Sequence, residues 1–358
     1  MKKIFTLLLV MTASSVAWTQ QLNLTQFATL NHNDTITAYY GVDALVSALS
    51  SAEHGDIITL SPGSFNAPYD ISKAVTIRGA GMMIDTISNT EPTRINKSFY
   101  LSVPNVSNLH LTMEGVYITG NIVYISAYSP RFNKCRINTI RKSASGEKTM
   151  SLPVFTNCLI SAWDGSSSIS NAMFINSIIL NSWQGEGHGV SINSDGGISE
   201  YYYWGYDLYT CGQSSDVYYN CIINIPPSII HNKRNIINCI TFGSDSVSVS
   251  DINVFNSVGI FDSTSIYNLT PDHNNTNINS FENIFKTFRG TYTEGEMFEL
   301  TNNAASNYLG SDNTQVGIYG GSAVFNPKAT DMRIKKYSVG FYSDENGHLK
   351  ITTELENE

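Results

Sequence analysis

Residues 154–163 read VFTNCLISAW, and the phrase returns as MFINSIILNSW (173–183), VYYNCIINIP (217–226), NIINCITFGS (235–244) and VFNSVGIFDS (254–263). Two looser copies, LTMEGVYITG (111–120) and RFNKCRINTI (131–140), precede them. With the small residue as marker, Gly115, Cys135, Cys158, Ser177, Cys221, Cys239 and Ser257 are spaced by 20, 23, 19, 44, 18 and 18 residues. The step of 44 reads as two coils of 22. A period near 20, with β-branched apolar residues around an Asn-Cys or Asn-Ser pair, indicates one solenoid coil per repeat.

The leucine and asparagine frame of leucine-rich repeats is absent, so an all-β, right-handed parallel β-helix fits better. Its coils place short strands about 4.8 Å apart on continuous sheets. On that reading Asn157, Asn176, Asn220, Asn238 and Asn256 align as a ladder whose side-chain amides hydrogen-bond from coil to coil. The cysteines beside them form a second column. In-register parallel Cβ vectors do not suit the disulfide dihedral, so Cys221 and Cys239 read as buried free thiols.

The flanks complete the solenoid. MKKIFTLLLVMTASSVAWTQ, 1–20, has two lysines, a short apolar run and small residues, the pattern of a secretory signal peptide. A secreted or periplasmic product is expected, with no integral membrane segment after cleavage. Asp43 heads a segment whose apolar face is Ala44, Leu45, Ala48, Leu49 and Ala52, a capping helix for the N-terminal end within 21–56. The β-helix then spans 57–325. The segment 326–358 alternates polar and apolar residues around Asp344-Glu345-Asn346-Gly347, as C-terminal strands in a hairpin do. Charged residues make up only 14% of the chain and the net charge is −9. That balance disfavours nucleic acid and implies a bridging cation for an anionic substrate.

ALVSALSSAEHGDIITLSPGSF (44–65), followed by VTIRGAG (75–81), resembles the entry to pectate-lyase-like β-helix proteins of bacteria. VGIYGGSAVFNP (316–327) is similar to the closing phrase of many secreted members. The resemblance implies the fold, whereas that fold carries lyases, hydrolases, esterases and non-catalytic surface proteins. Gly187-His188-Gly189-Val190-Ser191-Ile192 also resembles a polygalacturonase phrase, which implies that His188 sits beside a sugar hydroxyl and sets the protonation of a catalytic carboxylate. The adjacent Asp pair that such hydrolases carry one coil earlier is missing here, where SAWDGSSSIS offers only Asp164. Their Arg-x-Lys is matched only by Arg333 to Lys335, far along the chain. Inverting hydrolysis needs two carboxyl groups about 6.5–9.5 Å apart, so that mechanism does not carry over.

What remains is a candidate carbohydrate site. Asp164, Glu186, His188 and Asp195 are its candidate catalytic groups. Trp163, Trp183, Tyr202, Trp204 and Tyr206 are its candidate sugar-stacking surfaces, because an aromatic face beside carboxylates suits a pyranose. Trp163 and Trp183 equally suit a wide corner of the core, His188 a turn, and the tyrosine run SEYYYWGYDLY (199–209) a loop folded on itself. Calcium is compatible with carboxylates drawn from different coils. A lyase base would come from Arg131, Arg136, Arg141 or Lys142. The partner expected is a polysaccharide, bound or cleaved; the alternative is a non-catalytic surface, adhesion or structural rod.

Overall fold

In the computed structural model the described residues are 26–86, 89–143, 148–163, 169–180, 187–192, 198–203, 216–224, 234–242, 252–260, 273–288, 295–328, 333–343 and 349–356. The expected signal segment and the Asp344–Gly347 turn lie outside them. The backbone alone is described for 187–192, 198–203, 333–343 and 349–356.

The repeat builds a parallel β-solenoid. Its first sheet stacks Ile57–Leu60, Thr76–Arg78, Thr112–Glu114, Arg131–Asn133, Val154–Thr156, Met173–Ile175, Val217–Tyr219, Arg234–Ile237 and Ile252–Phe255 in parallel. Each triplet sends its middle residue inward and its neighbours outward, the two-residue period of a strand. Ile58, Ile77, Met113, Phe132, Phe155, Phe174, Tyr218, Ile236 and Val254 therefore form one buried column. In its middle, Phe132, Phe155, Phe174 and Tyr218 stack with centroids 5.0, 4.9 and 4.6 Å apart and planes within 10°. Coil spacing and ring-stacking distance coincide, so identical residues at identical positions reinforce the register.

Each triplet turns a tight corner into the second sheet through one residue at positive φ: Asn157 (53°), Asn176 (45°), Asn220 (51°), Asn238 (55°) and Asn256 (48°). Asparagine recurs here because it tolerates the left-handed region that other L-residues avoid. In the two early copies the position is taken by Gly115 (62°) and Lys134 (51°). Gly115 thus aligns with the asparagines, and Val116, one residue before the Tyr117–Arg136 pair, aligns with Cys135.

The expected amide ladder is not what joins the coils. Asparagine backbone N–H groups cross instead, as from Asn157 to Ile175 O at 3.0 Å and from Asn220 to Ile237 O at 3.0 Å. Only Asn274 and Asn256 exchange a coil-to-coil amide bond of the expected kind among the described residues (2.9 Å). The ladder runs one residue later. The Cys158 amide donates to Ser177 Oγ (3.1 Å), that of Cys221 to Cys239 Sγ (3.2 Å) and that of Cys239 to Ser257 Oγ (3.0 Å). Small side chains that both donate and accept suit this column. Cys135, Cys158, Cys221 and Cys239 are buried and free, and burial pushes the Cys158 and Cys221 thiols well up, keeping them neutral.

The step of 44 residues is a single coil. Met173 pairs directly with Val217, Phe174 with Tyr218, and Ile178 with Ile222, so no coil intervenes. The extra length is an insertion containing two antiparallel strands, Gly187–Ile192 and Ile198–Tyr203. A double coil and an inserted hairpin consume similar lengths of chain, and the register separates them.

At the N-terminal end, Phe27–His32 and Thr35–Tyr40 form an antiparallel hairpin on the edge of Ile57–Leu60. Helix α1, Ala44–Ser51, buries Ala44, Leu45, Ala48 and Leu49 within the same core as Ala28 and Ile58. Asp43 precedes it without capping it, since its Oδ1 accepts from Asn66 Nδ2 at 2.7 Å. Lys73 Nζ satisfies the other end, donating to the carbonyls of Leu49 and Ala52 at 2.7 Å each.

The last parallel strand paired in the solenoid is Thr276–Asn277. Beyond it the chain wraps the second sheet. Leu159, Ile178, Ile222, Ile240 and Val258 point away from the main core, yet are buried under a cover that includes Phe281, Phe285, Phe298, Val316, Ile318 and Phe325. Burying each aliphatic side chain contributes about 1.5–3 kcal/mol. The cover is pinned to the corners: Asn176 Nδ2 donates to the carbonyls of Ile318 and Gly320 (2.9 and 2.8 Å), and Asn238 Oδ1 accepts from the Ser311 amide (2.9 Å). It carries a short helix α2, Asn302–Asn307, capped by Thr301. Arg333–Ser343 and Leu349–Glu356 then pair antiparallel, the hairpin expected from their alternation.

Candidate functional site

The Gly-His-Gly phrase lies on the first strand of the inserted hairpin and not on a coil corner. In the ladder His188 stands opposite Tyr202, with Gly187 opposite Tyr203 and Gly189 opposite Tyr201; two residues along, Val190 faces Glu200. Two of the candidate residues, His188 and Tyr202, are thereby adjacent across the ladder although 14 residues apart in sequence. Directly opposed residues are near neighbours in an antiparallel pair, with Cα atoms about 4.5–5.5 Å apart. Asp164, Trp183, Glu186, Asp195, Trp204 and Tyr206 lie outside the described residues.

Trp163 is not a sugar platform. It is 1% exposed and packs edge-on against Phe155 and Phe174, centroids 5.4 and 5.1 Å away. It follows inward Ile160 by three residues, so strict alternation would turn it outward. The strand is irregular there, and Trp163 aligns with the buried Ile140 of the preceding coil instead. Its indole N–H is buried with no hydrogen-bond partner among the described residues.

The basic residues considered for a lyase base are divided between faces. Arg131 lies outside the first sheet, between Thr112 and Val154. It helps to lower the pKa of His110, though burial is the larger cause. Arg136 lies outside the second sheet, its guanidinium 4.3 Å from the Tyr117 ring centroid. Arg141 and Lys142 follow at the far end of the same strand, pairing with Val123 and Tyr124. Arg131 therefore cannot act together with the other three at one reacting bond. Among the described residues no group of three or more His, Cys, Asp or Glu side chains is placed to hold a metal ion.

The Arg136–Tyr117 contact was not legible as a site in the sequence. Its signal is a register relation between residues 19 apart, visible only once the coils are aligned. No protein-family model matches the chain, and no curated protein or solved structure matches it either. No helix among the described residues is long and apolar enough to cross a membrane.

Proposed function

We propose that this β-solenoid binds an extracellular polysaccharide through the insertion containing the 187–203 hairpin. The observation that carries the reading is that the core closes beneath the insertion: Met173 and Val217 pair as if it were absent. The solenoid does not need these residues to complete its sheets, yet they bring His188 opposite Tyr202. Histidine, tyrosines and glycines on a projecting ladder supply hydrogen-bonding groups and aromatic area for sugar rings. Cleavage in this reading would draw a carboxylate from Asp164, Glu186 or Asp195, with His188 adjusting its protonation.

A second reading is supported by the outer face of the first sheet, where Met173 and Tyr219 are 41% and 38% exposed and Val217 and Ile175 are partly so. A regular apolar strip of this kind suits a structural or adhesive rod. The discriminating experiment is a polysaccharide panel with and without calcium. It follows binding, reducing ends and unsaturated-uronate absorbance, with His188→Ala and Tyr202→Ala as controls. Binding abolished by both substitutions supports the hairpin site. Binding insensitive to both refutes the hairpin as the site, absence of binding across the panel supports the rod, and new reducing ends or unsaturated uronate establish cleavage.

A further inference from the structure

The second sheet has two unlike outer faces. From Leu159 onward its outward column is apolar and sealed by the C-terminal cover. In the three preceding coils the same column reads Arg94, Tyr117 and Arg136 in direct register. All three are partly exposed; none is a member of the apolar cluster under the cover, a cluster that also takes in Met82. One residue beyond each inward isoleucine (Ile95, Ile118, Ile137) stands a polar residue: Asn96, Thr119 and Asn138. Thr119 Oγ1 lies 3.2 Å from Asn96 Oδ1. Past the irregularity between Ile118 and Asn121, a third column holds Tyr100, Val123 and Arg141 in register, with the half-exposed Tyr69 edge-on to Tyr100 at 5.3 Å.

Charge singles out this region. From Arg94 to Lys148 the sequence holds eight Lys and Arg against two Glu, in a chain with 21 basic and 30 acidic residues. The net charge of −9 thus hides a cationic band around the solenoid, and an anionic ligand has no need of a bridging cation there.

We propose that this face binds an acidic polysaccharide. Arg94, Arg136 and Arg141 engage its carboxylate or sulfate groups, Tyr117 presents a ring face to a sugar, and the Asn96, Thr119 and Asn138 row exchanges hydrogen bonds with hydroxyls. Arg136 is already held over the Tyr117 ring, which positions the guanidinium fork for bidentate contact with an oxyanion. The charge density selects a glycan. Arg94 and Arg136 are two coils apart, about 9.5 Å at the strand spacing, whereas a nucleic-acid duplex carries a phosphate on each strand about every 3.4 Å of its axis. Glu91, 2.9 Å from Arg94, adds a carboxylate that a dense polyphosphate would have to approach. The assignment is independent of the hairpin reading, since the two surfaces share no residue.

The test is calorimetric titration of the full chain with polygalacturonate, heparin and fully methyl-esterified polygalacturonate at 50 and 300 mM NaCl. The wild type should bind at least one acidic polymer at least tenfold more tightly than the neutral one, and lose most of that affinity at the higher salt. R136Q/R141Q should bind it at least tenfold more weakly with an unchanged melting midpoint, while R136K/R141K, which keeps the charge but not the fork, falls between that variant and the wild type. Should the double variant melt early, R141Q alone carries the comparison. A chain lacking the hairpin should bind as the wild type does. Equal affinity for the neutral polymer, no binding to either acidic one, an unaffected glutamine variant, loss of binding with the hairpin, or tighter binding to single-stranded DNA would each overturn the proposal.

Discussion

Replacing residues 183–211 by three glycines separates the roles of core and insertion. In the native chain 37 residues, Leu180 to Asp216, connect the strands Ile178–Ile179 and Val217–Tyr219. The next coil makes the corresponding connection, between Ile223 and Asn235, the residues in register with Ile179 and Val217, with eleven. The replacement leaves eleven. Because Met173 already pairs with Val217 and Ile178 with Ile222, no ladder bond of the solenoid is lost. Closing a loop of eleven residues in place of 37 lowers the entropic cost by about 1 kcal/mol on the logarithmic dependence. For a chain of this size that raises the melting midpoint by about 1–2 °C. Circular dichroism and scanning calorimetry check the fold, and titration with a neutral polysaccharide selected from the panel, which the arginine face does not bind, checks the function. A cooperative transition at or slightly above the native midpoint, with binding at the hairpin abolished, is the expected result. A collapse of the transition would show that the insertion belongs to the core and refute the single-coil register; unchanged binding would refute the hairpin as the site.

Other substitutions probe the framework. Phe155→Ala removes the middle of the aromatic stack, which also contacts Trp163, and should cost about 3–5 kcal/mol in chemical denaturation. Asn176→Ala puts a Cβ-bearing residue without an amide at φ 45° and strips the donor from the Ile318 and Gly320 carbonyls; about 2–4 kcal/mol should be lost, and Asn176→Gly should recover the backbone part. Tyr319 has its pKa pushed up to about 12, first by burial and then by Glu299 and Glu296. Its neutral form therefore stabilises the fold fully below pH 10, and that contribution disappears as pH rises through 12. The discounted magnitude for this partly exposed group is about 1–2 kcal/mol, and Tyr319→Phe should flatten the alkaline loss of stability. In the native protein Cys135, Cys158, Cys221 and Cys239 should resist iodoacetamide and react only after denaturation.

The period and the free thiols were legible because each imposes a residue type at a fixed position, whereas the asparagines were read for their amides and not for the corner that selects them. Only Asn and Gly readily take the left-handed corner, and only small residues fit the column beside it. The same logic misplaced two features. A ladder was assigned to the asparagine amides, although their backbone N–H groups already make the coil-to-coil bond; apart from the Asn274–Asn256 pair their amides do not join coils, and those of Asn176 and Asn238 hold the cover. Trp163 carried the right spacing for a corner but no sign of which side of the pleat it occupies, because that is set by an irregularity common to its strand and the one before it. The cover over Leu159, Ile178, Ile222, Ile240 and Val258 had no period to announce it. Its partner is a repeated column 58 to 159 residues earlier for Val316 and Ile318, a distance at which sequence pattern is silent.

The cover also explains where function can reside on the regular part of the solenoid. A parallel coil must decide what each outward position meets, and the second sheet decides it twice. Where the column is Leu159, Ile178, Ile222, Ile240 and Val258, the chain folds back and removes it from water, which makes it a second core. Where it is Arg94, Tyr117 and Arg136, folding back would strand guanidinium groups in an apolar layer at a cost of several kcal/mol each. The boundary falls between Arg136 and Leu159, consecutive partners in one register. Stability and recognition are thus assigned to successive coils of a single column, and a substitution that moves the boundary should move both. Arg136→Leu extends the apolar column by one coil beyond the cover, so it should leave the melting midpoint near native while lowering affinity for the acidic polymer. Leu159→Arg places a charge beneath the cover and should lower the midpoint sharply, by more than the about 1 kcal/mol typical of point substitutions. If the two substitutions had equal effects on stability, the division of the face into a sealed half and an open half would be wrong.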